Sequence, residues 1–116
     1  MVQRGVNLMR FDFVTATKII FGAGTLKELG TVAIPFGKRA LVVTGRHPDR
    51  AQAVVDLLKA QQIDVTLFPT QGEPSVETAR EGVRIASDAK CEMVIGFGGG
   101  SALDTAKAIA ALLTNP

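Results

Sequence analysis

Met93-Val-Ile-Gly-Phe-Gly-Gly-Gly-Ser-Ala-Leu-Asp-Thr-Ala-Lys-Ala-Ile-Ala110 is the stretch that decides the fold. It opens on an apolar run that does not alternate with polar residues, the pattern of a strand covered on both faces. Gly98, Gly99 and Gly100 follow directly, and a segment suited to a helix runs from Ala102 to Leu113. Successive glycines between a strand and a helix leave backbone N–H groups uncovered by side chains. Phosphate oxygens can approach such a turn closely, and the helix N-terminus adds a partial positive charge. The Ser101 hydroxyl sits where it can cap the helix or bond a phosphate oxygen.

The turn is neither of the two common phosphate loops. No Gly-Lys-Ser or Gly-Lys-Thr closes it, which disfavours a P-loop kinase or GTPase. Gly96-x-Gly98-x-x-Ser101 approaches the dinucleotide fingerprint, but serine replaces the last glycine and the segment follows the last strand rather than the first. On the residues alone, an anion site and a plain tight turn both remain open.

Working outward, the chain alternates strands and helices at short spacing. Strands are predicted at Thr17–Gly22, Arg39–Thr44, Asp64–Phe68 and Met93–Phe97. Thr25 is positioned to cap a short helix over Leu26–Gly30. From Asp49 the apolar period becomes helical through Ala51, Val54, Val55, Leu58 and Ile63, and Ser75 is positioned to cap a further helix through Val76, Ala79, Val83 and Ala86. This order implies an α/β fold, a parallel Rossmann-like sheet with helical crossovers and a short amino-terminal strand region. Residues 1–12 read as a flexible arm, and residues 13–116 as one dinucleotide-binding domain.

Composition bounds the partners. The 116 residues are 47% hydrophobic and 21% charged, with 12 glycines and no Trp or Tyr, which suits an aliphatic sheet core. The formal charge of +2 is spread from Arg4 to Lys107 without a basic stripe, so nucleic acid is not an expected partner. The single cysteine, Cys91, is expected to be a buried thiol in a reducing compartment. The first ten residues lack the apolar core of a signal peptide, and no apolar run nears the roughly 18 residues of a membrane span. These features predict a cytoplasmic protein, with a homo-oligomer left open.

Gly98-Gly-Gly-Ser-Ala-Leu-Asp-Thr-Ala-Lys-Ala-Ile-Ala110 closely resembles the signature of the iron-containing (group III) alcohol dehydrogenase family. The resemblance extends to Ala16–Leu29, to Ala40–Thr44, to the Glu73-Pro74 turn and to the final Asn115-Pro116, nearly everything from Phe13 onward. It implies hydride transfer between NAD or NADP and a small alcohol or aldehyde, assisted by a divalent metal, commonly iron or zinc. In that family an all-helical carboxy-terminal domain carries the metal, so the resemblance implies a piece of a longer two-domain enzyme with no metal site and no catalytic residue of its own. Glycerol dehydrogenases and dehydroquinate synthases resemble the same architecture, and a non-catalytic nucleotide-binding module is a further alternative.

The resemblance implies that Gly99, Gly100 and Ser101 touch the pyrophosphate, with Gly98 beside them, and that Asp104 lies near the nicotinamide end. Ser101-x-x-Asp104 also has nearly the spacing of a capping box, and Lys107 is placed to pair with Asp104. Relatives that prefer NAD tend to carry an acid where this chain has Gly45. Without that acid a 2′-phosphate meets no repulsion, and Arg46 can offer it a guanidinium fork. The bland reading is that Gly45 makes a turn and Arg46 is solvated. Glu73 stands where relatives often have Asn, and a carboxylate cannot donate to the cofactor as an amide can. His47, the one histidine, is expected to be exposed.

Overall fold

The computed structural model describes residues 7–9, 19–21 and 29–114. Five strands form one sheet: β1 (Asn7–Met9), β2 (Ile19–Phe21), β3 (Arg39–Thr44), β4 (Asp64–Pro69) and β5 (Met93–Phe97). The helices are α1 (Leu29–Ala33), α2 (Gln52–Ala60), α3 (Val76–Asp88) and α4 (Gly100–Thr114). Short 3₁₀ turns occupy Ile34–Phe36 and Pro48–Ala51. The strand order is β1-β2-β5-β3-β4. Strands β2, β5, β3 and β4 run parallel, and β1 adds antiparallel to β2.

Strands β3 and β5 are buried because both of their faces are covered. In β3, Leu41 and Val43 pack with Val94 against Ala79 and Ala86 of α3 and Ala106, Ile109 and Ala110 of α4. Ala40 and Val42 point the other way and join Met93 and Ile95 against Ala33 of α1 and Val54 and Leu58 of α2. The two-residue period of the strands therefore feeds two cores, one on each side of a central sheet. Two glycines allow the layers on the α3–α4 side to close tightly. A Cβ on Gly96 would lie 2.9 Å from that of Ala106, and one on Gly82 would run into Ile109.

The helix ends follow local chemistry. Ser75 is extended, and its Oγ accepts from the Thr78 N–H at 3.0 Å, the cap anticipated for α3. Ser75→Ala is expected to lower unfolding stability by about 1 kcal/mol. The check is a urea titration of both proteins, and an unchanged midpoint would mean that water replaces the cap at no cost.

Several boundaries differ from those anticipated. Helix α1 runs on to Ala33, past Gly30, because Pro35 fits the first positions of the following 3₁₀ turn rather than stopping the helix early. Helix α2 ends at Ala60, so the buried Ile63 reaches the core from outside it, after Gln62 takes a positive φ of 62°. Asn7–Met9, within the stretch read as an arm, pair with β2. The Thr25 cap lies outside the described residues. Cys91 is half-buried rather than buried, packed at the edge of the α3–α4 core. Burial pushes its thiol up from the ordinary range, and a hydrogen bond with Thr66 works the other way. Among the described residues no helix is long and apolar enough to cross a membrane.

Candidate functional site

The strand order creates a crevice before any side chain is considered. From β3 the chain crosses through α2 to β4 on one side, then through α3 to β5 on the other. The segments leaving the carboxyl ends of β3 and β5 thus diverge to opposite faces of the sheet, the arrangement that opens a ligand crevice in parallel α/β folds.

A cleft of about 370 Å³ lies at this point, bounded by Gly45 and Arg46 after β3, by Thr70, Gly72 and Glu73 after β4, and by Gly99 to Ala102 after β5. A second cavity of about 150 Å³ adjoins it, and Gly45, Arg46 and Gly99 line both. Gly98 lines the smaller one, with Phe97, His47 and Arg50.

The glycine turn is built to leave backbone exposed. Gly98 has φ of 135°, which side chains rarely adopt, and its Cβ position lies 3.6 Å from the Gly45 nitrogen. That close approach joins the ends of β5 and β3 at the crevice. Gly99 and Gly100 would meet nothing within 4 Å if they carried a Cβ. What their missing side chains leave open is the cleft itself.

The first α4 hydrogen bond from beyond the glycines runs from Leu103 N–H to the Gly99 carbonyl, at 3.1 Å. Gly99 is therefore the N-cap, and the N–H groups of Gly99, Gly100, Ser101 and Ala102 precede the first intrahelical donor. All four residues line the cleft. The fifteen-residue helix behind them concentrates a partial positive charge at that end.

This frame revises the reading of Ser101 and Asp104. A capping box needs its serine at the N-cap, and Ser101 lies two positions inside the helix. Ser101 lines the cleft. Asp104 is exposed on the next turn of α4 and lines neither cavity. The cleft and its neighbour thus gather Gly45, Arg46, Glu73, Gly98, Gly99, Gly100 and Ser101, and leave Asp104 outside.

Thr70 did not stand out in the sequence. It is 6% exposed, and both its N–H and its Oγ1 donate to the Thr44 carbonyl, at 2.9 and 2.7 Å. Thr44 Oγ1 in turn donates to the Gly45 carbonyl at 3.0 Å. These bonds fasten the loop after β4 to the end of β3. A hydroxyl residue just after a strand-ending proline was the only local signal, and its partner lies 26 residues away.

The chemistry of the walls suits an acceptor-rich anion. Gly99 to Ala102, whose N–H groups precede the first intrahelical donor, line the cleft with Arg46, the hydroxyl residues Thr70 and Ser101, and a single acid, Glu73. Open glycines of this kind fit the pyrophosphate of a dinucleotide. Among the described residues no three His, Cys, Asp or Glu side chains come together to hold a metal. The described residues do not fit that group.

The profile of the iron-containing alcohol dehydrogenase family matches residues 16–116. The chain is 28% identical over 109 residues to NADH-dependent butanol dehydrogenase A of Clostridium acetobutylicum, covering 90% of this chain and 28% of that one. It is 37% identical over 114 residues to sulfoacetaldehyde reductase of Bilophila wadsworthia, covering 92% of this chain and 29% of the relative. Among solved structures, an archaeal halo-thermophilic alcohol dehydrogenase from a Red Sea brine pool superposes with a TM-score of 0.71 at 30% identity. That match covers 82% of this chain and 25% of the other. The chain therefore spans under a third of the length of the proteins it matches.

Proposed function

Because this chain belongs to the iron-containing alcohol dehydrogenase family, we propose that its cleft is the dinucleotide site of an enzyme transferring hydride between NAD or NADP and a small alcohol or aldehyde. The observation that carries this reading is the open glycine turn at the crevice, with the N–H groups of Gly99 to Ala102 on its wall.

In this reading those N–H groups and the Ser101 hydroxyl bind the pyrophosphate, and the α4 dipole offsets its charge. Gly98 holds the turn close to β3, so the adenosine half falls toward Gly45 and Arg46. Glu73 accepts hydrogen bonds and donates none, which suits ribose hydroxyls or an amide better than phosphate. Asp104, outside the cleft walls, is assigned to the nicotinamide end only through the family resemblance. When bound, the nicotinamide ring accepts or delivers the hydride. The relatives named NADH-dependent and reductase support the redox assignment. The divalent metal, iron or zinc, and the substrate pocket are assigned to the length that relatives have beyond this chain.

The direct test is calorimetric titration of the full-length protein with NADH and with NADPH. Saturable binding of at least one, lost in competition with ADP, is the expected result. Absence of binding by both would remove the dinucleotide reading and leave the glycines as a structural turn.

A further inference from the structure

The turn that carries Gly72 and Glu73 to the cleft is not held by bonds of its own. Gln71, Gly72, Glu73 and Pro74 are exposed, and none of the four makes a hydrogen bond to the described residues. Gly72 takes a φ of 72°, and a Cβ there would meet nothing within 4 Å. Both ends of the turn are fastened instead. Downstream, the Ser75 cap ties it to α3, the Thr78 N–H donating to Ser75 Oγ at 3.0 Å. Upstream stands Thr70, buried between the exposed Pro69 and Gln71.

Thr70 makes an unusual anchor. Its N–H continues the β3–β4 pairing onto the Thr44 carbonyl at 2.9 Å, and its Oγ1 donates to the same oxygen at 2.7 Å. Two donors from one residue on one buried oxygen restrain both where that residue sits and how it is turned. A single N–H bond restrains position alone. The hydroxyl hydrogen is spent on Thr44, so Thr70 is not a donor to a guest in the cleft. What it controls is the direction in which the chain leaves β4 toward Glu73.

We propose that Thr70 is a positioning residue, whose hydroxyl keeps the turn in place so that Glu73 stands at the cleft wall before a cofactor arrives. The proposal rests on the dinucleotide reading of the cleft, with Glu73 as an acceptor for ribose hydroxyls. Without the hydroxyl the turn samples more arrangements, and binding has to order it at the expense of affinity. Thr70 thus acts on the cofactor only through Glu73.

The test uses the full-length protein, its Thr70→Val, Thr70→Ser and Glu73→Ala variants, and the variant carrying both Thr70→Val and Glu73→Ala. Each is titrated by calorimetry with whichever of NADH and NADPH the wild type binds more tightly, and a melting curve reads stability separately. Valine keeps the shape of threonine and removes the hydroxyl, whereas serine keeps the hydroxyl and removes the methyl. Thr70→Val is expected to weaken the cofactor about tenfold, and Thr70→Ser to recover most of that loss. On the Glu73→Ala background, Thr70→Val is expected to cost less than about threefold, because the group it positions is gone. Unchanged affinity in Thr70→Val, serine as weak as valine, or the same loss on both backgrounds would overturn the proposal. A valine variant that does not fold would overturn it too, by making Thr70 a residue of stability alone. Wild-type protein that binds neither cofactor would remove the dinucleotide site itself, an outcome distinct from all of these.

Discussion

Gly45→Asp is expected to swing the preference between NADP(H) and NAD(H) by about 1.5–3 kcal/mol, or on the order of tenfold to a hundredfold, toward NAD(H). The substitution is sterically permitted, because a Cβ at this position meets nothing within 4 Å. It sets a carboxylate on the wall shared by the cleft and the smaller cavity. That carboxylate repels a 2′-phosphate held by Arg46 and accepts hydrogen bonds from a free ribose. The two effects act in opposite directions on the two cofactors, so their ratio moves more than either constant alone. The measurement is the ratio of kcat/KM for NADPH and NADH in full-length wild type and variant. Wild type should favour NADPH. A strong wild-type preference for NADH, or a ratio that the substitution leaves in place, would reduce Gly45 to a turn residue and place cofactor choice elsewhere.

Gly99→Val should keep the fold and weaken cofactor binding by about 2 kcal/mol or more, the scale of an unmade charge-assisted hydrogen bond. Both halves of that expectation come from the same geometry. No protein atom lies within 4 Å of the missing Cβ, so valine displaces nothing in the core. Its branches instead occupy the cleft in front of the N–H groups that open α4. Valine is a poorer N-cap than glycine, which adds a stability loss on the order of 1 kcal/mol that a melting curve would register separately. Calorimetry on the full-length variant reads the affinity. Unchanged affinity for both cofactors, with an intact fold, would show that no ligand approaches the turn.

Legibility of the fold depended on how local each cause was. Strands β3 and β5 begin and end where expected, at Arg39–Thr44 and Met93–Phe97. Their apolar runs do not alternate with polar residues and lead into glycines just past the strand ends, the pattern of burial on both faces. Ser75 was legible for the same reason, since a cap bonds within three residues. Strand β4 takes in Pro69, one residue more than its aliphatic run, because Pro69 still pairs in register with Thr44 at a sheet edge that tolerates proline. Strand β1 had no legible cause: three residues cannot display a period, and its pairing depends on β2.

The site shows the same division. Gly99, Gly100 and Ser101 were legible as a strand–turn–helix junction. Gly45, Arg46 and Glu73 entered through family resemblance, and only the sheet topology puts them on the same cleft. Asp104 also entered through family resemblance, and the competing capping-box spacing with Ser101 could not say where the helix begins. With the N-cap at Gly99, the capping box is ruled out, and Asp104 lines neither cavity. Thr70 was missed because its work is tertiary, holding a carbonyl on a different strand.

The bonds around Thr44 also set the sign of what the crevice can recognise. A peptide carbonyl has two lone pairs, and those of Thr44 are both taken, by the Thr70 N–H and Oγ1. The neighbouring Gly45 carbonyl is engaged by Thr44 Oγ1. The floor at the end of β3 is therefore nearly mute as an acceptor, while the opposing helix start speaks only as a donor. An ammonium or an amide-rich guest finds little there besides Glu73, and every one of its own donors that goes unmet carries a desolvation cost. A guest studded with oxygens finds donors at the helix start, opposite a Thr44 carbonyl whose two lone pairs are already taken.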